Sequence, residues 1–433
     1  MKNTKSIMSI VTIIILLVSV LGLSGSALAQ DKKFDVTLNV VGVNNVISEV
    51  VLEHQDELYD QLGIRINFQQ FSNEQASNKL AVSFAAGGGD VDAFMFRPLD
   101  ETLLFVQNGW LENLQPYVDA NPEAVKLDDF YPASLGLCKN QATGDIVGFP
   151  LMVESAVIFY NKTLFAEKGI TETPKTMDEL YALAGKLNDP DNDICGFACR
   201  GAGNPSVTQF SCFLRAFGGD FLDADGNAVI NTPEAIAAFE FYGKLLRDYG
   251  PDGVLNMGWT DTWNLLTQGK AAMRMDANTN MGSWDPDNSL LDLSEIGYFQ
   301  VPVGPKGDHG DFLITAWAIG VSSGSANKDA AIAFANWVAS PEIQIEVQKR
   351  GGSGSRKCCW SDAYSSWPEA LQRVSDAAAQ VAVSTDRPYM INVSKARDII
   401  GEIVVAAIEG GTDITALANA RNADFQALID SEK

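Results

Sequence analysis

The segment from Gly148 to Leu187 constrains the fold of this chain more than any other. It begins with a Gly-Phe-Pro turn and a short apolar strand, passes through residues 160–162 (Tyr-Asn-Lys) and a short helix ending near Gly169, and reaches a further helix after a Thr-Pro-Lys-Thr loop. Thr176 and Glu179 have the spacing of a capping box, which satisfies free backbone N–H groups at the start of a helix. The segment therefore predicts a strand followed by two helices.

The residues that come earlier in the chain show a similar alternation. Apolar and polar residues alternate from Phe34 to Val40 and again from Ile64 to Phe68, as expected for half-buried strands. Between them, apolar residues recur at helical spacing from Ile47 to Leu58, and Gly63 follows as a C-cap residue. Strand, helix and strand in this order predict an α/β fold with a mainly parallel sheet.

The N-terminus has the pattern of a secretory signal. Lys2 and Lys5 precede an apolar run from Met8 to Leu23, and residues 27–29 (Ala-Leu-Ala) resemble a cleavage site. Because the residue directly after the proposed cleavage site is Gln30 and not Cys, we expect a protein without a lipid anchor, free in a Gram-negative periplasm and monomeric. About 400 residues remain after residues 1–29 are removed, and such a length favours two domains over one core.

Composition excludes several classes of function. The net charge of −24 argues against nucleic-acid binding, which needs clustered Lys and Arg, and is better explained by the solubility of an exported protein. Cys195 and Cys199 have neither a redox nor a common zinc spacing, and the chain has two His residues, so we expect no metal site and no cofactor. In an oxidising compartment the six Cys residues predict at least one disulfide, whose pairing the sequence leaves open.

Several motifs in order resemble the family 1 extracellular solute-binding proteins, which deliver sugars to ABC importers. They are the segment at 148–187, Phe217–Leu222, Gly269–Met273 (GKAAM), Val301–Gly307 (VPVGPKG) and the helix Lys328–Ser340. The resemblance implies an α/β, two-lobed periplasmic binding protein fold with a ligand cleft between interleaved lobes. Lobe 1 would comprise residues 30–149 and 316–350, and lobe 2 residues 150–315 and 351–433, with crossings near Pro150, Ala316 and Gly351.

The resemblance also implies candidate ligand-binding residues. Aromatic faces would cover C–H surfaces of a sugar, and planar charged side chains would bind pairs of hydroxyls. The candidates occur at strand ends, at the crossings or in segments that the family directs at the cleft: Asn44, Asn45, Arg97, Glu154, Arg200, Trp263, Asp276, Trp284, Trp317 and Arg356. His54 is interpreted as a structural histidine on an apolar face.

The expected function is capture of a small polyol or sugar by closure of the cleft and delivery to a membrane permease. The Arg200–Gly201 pair and Asp276 resemble the sorbitol/mannitol-binding subgroup, whereas Ala198-Cys199 and Cys358-Cys359 depart from it. An oligosaccharide-binding protein of the same family is the first alternative.

Two further alternatives are less favoured. A secreted glycoside hydrolase would need two carboxylates about 5–5.5 Å or about 6.5–9.5 Å apart, and no pair in the sequence stands out, so we expect no enzyme. A polyamine would suit a carboxylate-rich cleft, but Arg200 and Arg356 there would repel a polycation.

Overall fold

The computed structural model describes residues 34–360, 367–383 and 385–433, so the proposed signal at 1–29 lies outside the described residues. Within them, one sheet has the strand order β2-β1-β3-β7-β4-β5, and β6 also pairs with β4. The strands are β1 (Val36–Val43), β2 (Ile64–Phe71), β3 (Ala93–Phe96), β4 (Phe149–Asn161), β5 (Met273–Ala277), β6 (Ile296–Phe299) and β7 (Leu313–Val321).

Helices occur along the whole described part of the chain. In the first half they are α1 (Val46–Glu53), α2 (Gln55–Leu62), α3 (Asn73–Ala85), α4 (Pro98–Gln107), α5 (Gln115–Ala120), α6 (Pro122–Val125), α7 (Pro132–Gly136), α8 (Lys162–Glu167) and α9 (Met177–Leu187). Further along the chain they are α10 (Gly203–Ala216), α11 (Pro233–Tyr249), α12 (Trp259–Thr267), α13 (Lys328–Val338), α14 (Pro341–Lys349), α15 (Glu369–Val381), α16 (Val393–Glu409) and α17 (Ile414–Asp430).

The strand–helix–strand pattern expected near the start is confirmed. Strand β1 pairs in parallel with β2 and with β3. The other pairings among the described strands, β3–β7, β4–β7, β4–β5 and β4–β6, are antiparallel, so the expectation of a mainly parallel sheet is wrong. The helical region between β1 and β2 is divided at His54 into α1 and α2, and it ends at Gly63, whose φ of 73° is left-handed. Apolar periodicity continues through such a break, so the sequence predicted one helix where there are two.

The capping box is also present at α9. The Glu179 N–H donates to Thr176 Oγ1 at 3.3 Å, and the Thr176 N–H donates to Glu179 Oε2 at the same distance. All six cysteines, in contrast, are free thiols in this structure, so the expectation of a disulfide is not met.

Two long strands connect two hydrophobic cores. Strand β4 pairs with β7 through Phe149–Ser155 and with β5 through Ala156–Tyr160. The first core lies between Leu38 and Leu151 and between Trp317 and Val347, and the lobe around it is here called the first lobe. The second core lies mainly between Ala156 and Ile314 and between Met390 and Ile429, and defines the second lobe. The exact lobe boundaries given above stay a prediction.

Candidate functional site

The two faces of the crossing strands β4 and β7 differ in burial. Val153 and Leu313 are buried on one face, in a cluster with Tyr131 and Ala379. Neighbouring residues in a strand point to opposite faces, and Glu154, next to Val153, keeps part of its surface exposed. The face that carries Glu154 is here called the crossing face, and it is the candidate site.

Asp276, on β5, is the centre of a network of charged groups. Arg200 donates two hydrogen bonds to its carboxylate, from Nε at 2.9 Å and from Nη2 at 2.5 Å. Gln209 Nε2 at 3.1 Å and the Ala277 N–H at 2.8 Å donate to the same carboxylate. Although burial opposes ionisation, the charges of Arg200 and Arg274 lower the pKa of Asp276, so this fully buried group stays ionised.

Arg274 extends the network toward the start of α12. Its Nη2 lies 3.0 Å from Asp276 Oδ2, and the same nitrogen donates to the Trp259 carbonyl at 3.0 Å and to Asn280 Oδ1 at 2.8 Å. Burial lowers the pKa of Arg274 to about 10. Trp259, whose backbone carbonyl is thus fixed, is itself 41% exposed. Sequence reasoning did not select Trp259, and the signal that could have found it was an aromatic residue at a helix start directly after Gly258.

Glu154 is the carboxylate that the crossing face presents beside this network. It accepts a hydrogen bond from Thr279 Oγ1 at 3.0 Å. Burial raises the pKa of Glu154, the charges of Asp386 and Asp276 raise it further, and Arg200 lowers it. The candidates Glu154, Arg200 and Asp276 are therefore brought together.

Asp386 and Arg387 join this group, and sequence reasoning missed both. Arg387 Nε and Nη2 donate to the two Asp386 oxygens at 2.7 and 2.8 Å, and Arg387 Nη1 lies 3.5 Å from Asp100 Oδ1. Burial opposes ionisation of Asp386, but Arg387 lowers its pKa to about 2. An Asp-Arg-Pro sequence between two helices was the available signal, although surface turns have the same composition.

The remaining first-lobe candidates lie at strand ends or on β7. Asn45 caps α1 by accepting from the Ser48 N–H at 3.1 Å, and Asn44 beside it is exposed. Arg97 precedes α4, and its Nη1 lies 3.3 Å from Asp100 Oδ2. Trp317 is 9% exposed and belongs to the first core. No contact links these residues directly to Asp276, so their role stays a prediction.

Two of the tryptophan candidates have structural roles instead. Trp263 packs edge-on against Phe159, with 5.4 Å between the ring centroids, and donates its indole N–H to the Ser283 carbonyl. Trp284 borders the same cluster and donates to the Leu291 carbonyl at 3.1 Å. A hydrophobic cluster, and not the crossing face, holds these two rings, so the structure gives no support to their proposed ligand contacts.

Arg356 is fully buried in the first lobe. It donates to the carbonyls of Val125 at 2.9 Å and Lys126 at 3.2 Å, and its guanidinium lies 4.0 Å from the centre of the Phe130 ring. Free carbonyls at helix ends need such donors, and the sequence does not show which helix ends are near. The objection to polyamines that rested on Arg356 therefore lapses, but Arg387 supplies a second cation beside Arg200.

The described residues contain neither a metal-binding cluster of side chains nor a membrane-spanning helix. In the ranges 34–360, 367–383 and 385–433, no group of three or more His, Cys, Asp or Glu side chains is arranged to hold a metal ion. Among these same residues, no helix has both the length and the apolar character needed to cross a membrane.

Comparison with known proteins identifies the family. Residues 48–345 match the family described as bacterial extracellular solute-binding protein. The chain belongs to this family. It is 27% identical over 340 residues to the mannitol-binding protein of Pseudomonas aeruginosa, covering 76% of each chain. It is 24% identical over 333 residues to the erythritol/L-threitol-binding protein of Mycolicibacterium smegmatis, covering 73% of this chain and 69% of the relative.

Solved structures of family members share the fold. An ABC transporter solute-binding protein from Agrobacterium radiobacter K84 in complex with ribitol superimposes with a TM-score of 0.75 at 24% identity, covering 92% of this chain and 100% of the other. The sugar-binding protein MalE of Xanthomonas citri gives a TM-score of 0.79 at 20% identity, covering 92% and 98%. The fold is therefore the two-lobed α/β fold of these solute-binding proteins. Since the family consists of binding proteins, the chain is a binding protein and not an enzyme.

Proposed function

We propose that this protein captures a small polyol or sugar between its lobes and delivers it to the permease of an ABC importer. The observation that carries the proposal is that Glu154, on the crossing face, lies close enough to Arg200 and Asp276 for their charges to shift its pKa, while Arg200 is bonded twice to Asp276. The mannitol-binding and erythritol/L-threitol-binding relatives, and the ribitol-bound structure, support this ligand class.

The chemistry of the group suits neighbouring hydroxyls. Each hydroxyl both donates and accepts, so it can donate to the Glu154 carboxylate and accept from a guanidinium nearby. Arg200 is held in one orientation by two hydrogen bonds to Asp276, and therefore loses little freedom when a ligand binds. A ligand that leaves one of these buried polar groups unpaired would lose about 1–3 kcal/mol, and this loss provides selectivity.

Closure of the lobes completes the proposed mechanism. Some contacts between ligand and protein form only in the closed state, so the ligand binds that state more tightly than the open one. Ligand binding therefore shifts the population of molecules toward the closed state. The division into residues 30–149 plus 316–350 and 150–315 plus 351–433, the cleaved signal at 1–29, the periplasmic location, the monomeric state and the permease partner are all part of this proposal. Asn44, Asn45, Arg97 and Trp317 are the proposed first-lobe contacts.

Oligosaccharide binding is the second candidate function. The observation that favours it is Trp259, an exposed aromatic residue whose backbone carbonyl accepts a hydrogen bond from Arg274, so its ring is available as a platform for a further sugar ring. A maltotriose-binding protein of Pyrococcus abyssi is among the relatives, at 27% identity over 290 residues.

A thermal-shift screen with mannitol, ribitol, erythritol, maltotriose and spermidine tests the proposal. A ligand at 100 times its dissociation constant stabilises the folded protein by about 2.7 kcal/mol. We expect a shift with one or more polyols that Glu154→Gln abolishes and that Glu172→Gln, a change at an exposed position between α8 and α9, retains. A shift with maltotriose alone would favour the second candidate. A shift with spermidine alone would refute both.

A further inference from the structure

The segment Thr385–Met390 is fixed to the second lobe. Arg215 on α10 donates from Nη1 to the Thr385 carbonyl at 2.6 Å and from Nη2 to Thr385 Oγ1 at 2.9 Å. Met390 is buried in the second core. Arg387, between these anchors, has two of its nitrogens bonded to Asp386, which is fully buried. Its position therefore depends on the second lobe.

The same segment contacts the first lobe. Arg387 Nη1 lies 3.5 Å from Asp100 Oδ1, at the start of α4, and the Asp100 carboxylate is 23% exposed. Leu99, next to Asp100, and Leu137 are first-lobe residues by position in the chain, yet both are buried in the second core. An ion pair and an apolar contact thus join the lobes at one place.

The ion pair lies on the crossing face. Burial opposes the charge of Arg387, but Asp386 and, to a smaller extent, Asp100 and Glu154 raise its pKa, so these carboxylates are close to its guanidinium. The opposite face of β4 and β7 is covered by Tyr131 and Ala379. Separation of the lobes on the crossing-face side would therefore remove Asp100 from Arg387, while Arg387 would keep Asp386.

We propose that Arg387 is a positioning residue that holds the lobes closed through Asp100 and thereby sets the affinity for ligand. This inference rests on the proposed function, in that a closed cleft is the state that binds. The apparent affinity of a protein falls with the fraction of molecules in its competent state. The Arg387–Asp100 pair would raise the fraction of closed molecules before ligand arrives, because Asp386 already holds the Arg387 guanidinium in place.

The test uses Asp100→Asn in the whole mature protein, measured by small-angle X-ray scattering without ligand. We expect a larger radius of gyration than in the wild type. A matched control is Asp35→Asn, because Asp35 Oδ1 also lies 3.5 Å from an arginine, Arg65 Nη1, but both residues belong to the first lobe. Equal radii for Asp100→Asn, Asp35→Asn and wild type would overturn the proposal.

Salt and a conservative variant provide further readouts. Raising the ionic strength from about 0.1 M to about 1 M shortens the Debye length from about 10 Å to about 3 Å, and should open the wild type but not Asp100→Asn. Asp100→Glu should restore the wild-type radius. If Asp100→Asn does not fold, the salt series on the wild type decides, and a radius independent of salt refutes the proposal.

The ligand arm separates this inference from the proposed function. With the polyol that gives the largest thermal shift, Asp100→Asn should bind about tenfold more weakly, within the range usual for coupling between sites. If no polyol binds, the proposed function fails and the scattering results still decide whether the pair joins the lobes. If a polyol binds equally to the variant and the wild type, Arg387 has no positioning role.

Discussion

Replacing Asp276 with asparagine should destabilise the second lobe and weaken ligand binding together. Asp276 is fully buried and faces two guanidinium groups, those of Arg200 and Arg274, at 2.5 and 3.0 Å. Asparagine has the same shape but no charge, so both cations would lose their counterion inside the protein. Removing one partner of a buried ion pair costs about 3–5 kcal/mol, and we expect a loss of this size in the free energy of unfolding.

Urea unfolding followed by tryptophan fluorescence measures this loss. Asp35→Asn is the control, because Asp35 is 92% exposed and its removal should leave the unfolding midpoint unchanged. Calorimetry with the polyol found by screening should show weaker binding, since Arg200 would no longer be held by two hydrogen bonds. If Asp276→Asn unfolds at the wild-type urea concentration, the network is not structural and the reasoning about the site fails.

Three further predictions concern other charged groups. Glu154→Gln should lower polyol affinity about tenfold or more in calorimetry, because a bond to a charged group contributes about 1.5–3 kcal/mol, and an unchanged affinity would exclude Glu154 from the site. Arg356→Lys should lose about 1.5–3 kcal/mol of stability in urea with ligand affinity unchanged, because lysine cannot reach several carbonyls at once. Weaker binding at equal stability would contradict the structural role of Arg356. Burial raises the pKa of Asp311 to about 6, so the folded protein binds this proton more tightly than the unfolded chain, and stability should fall as the pH rises from about 4 to about 6. Asp311→Asn should reduce this dependence in urea titrations at several pH values, and an identical pH profile would refute the assignment.

The sequence predicted the elements whose signals are local. The capping box at Thr176 and Glu179, the C-cap at Gly63 and the alternation in β1 and β2 each depend on residues a few positions apart. The division of one helix at His54 was missed, because the apolar face continues across the break.

The candidate site was predictable only in part. The resemblance gave Glu154, Arg200 and Asp276, which the fold brings together, but it also gave Trp263 and Trp284, whose rings pack into a hydrophobic cluster. Whether an aromatic ring faces a cleft or a core depends on which helices pack around it.

The omission of Arg387 and the wrong role given to Arg356 have one physical cause. Arg387 contacts Asp100 across 287 positions of the chain, and no spacing rule connects them. Arg356 contacts Val125 across 231 positions. Such pairings are decided by the approach of distant segments, so composition predicts that arginines find partners but not which ones.

The balance of charge around the crossing face argues for a neutral ligand. Arg200 and Arg274 share Asp276 as their counterion. Arg387 is paired with Asp386 and Asp100, and Arg97 lies 3.3 Å from the same Asp100. Each of these cations therefore already has an anion beside it. A charged ligand entering such a group would upset a balance that exists without it, and its lost hydration would not be recovered.

The same balance makes a discriminating prediction. A polyol, the matching sugar acid and the matching amino sugar have nearly equal size and differ in charge. We expect the polyol to bind more tightly than either charged analogue at pH 7 in calorimetry, because only the neutral ligand leaves every ion pair intact. Tighter binding of the amino sugar would show that Glu154 acts as an unpaired anion. Because the pKa of Glu154 is raised by burial, that preference would then weaken as the pH is lowered.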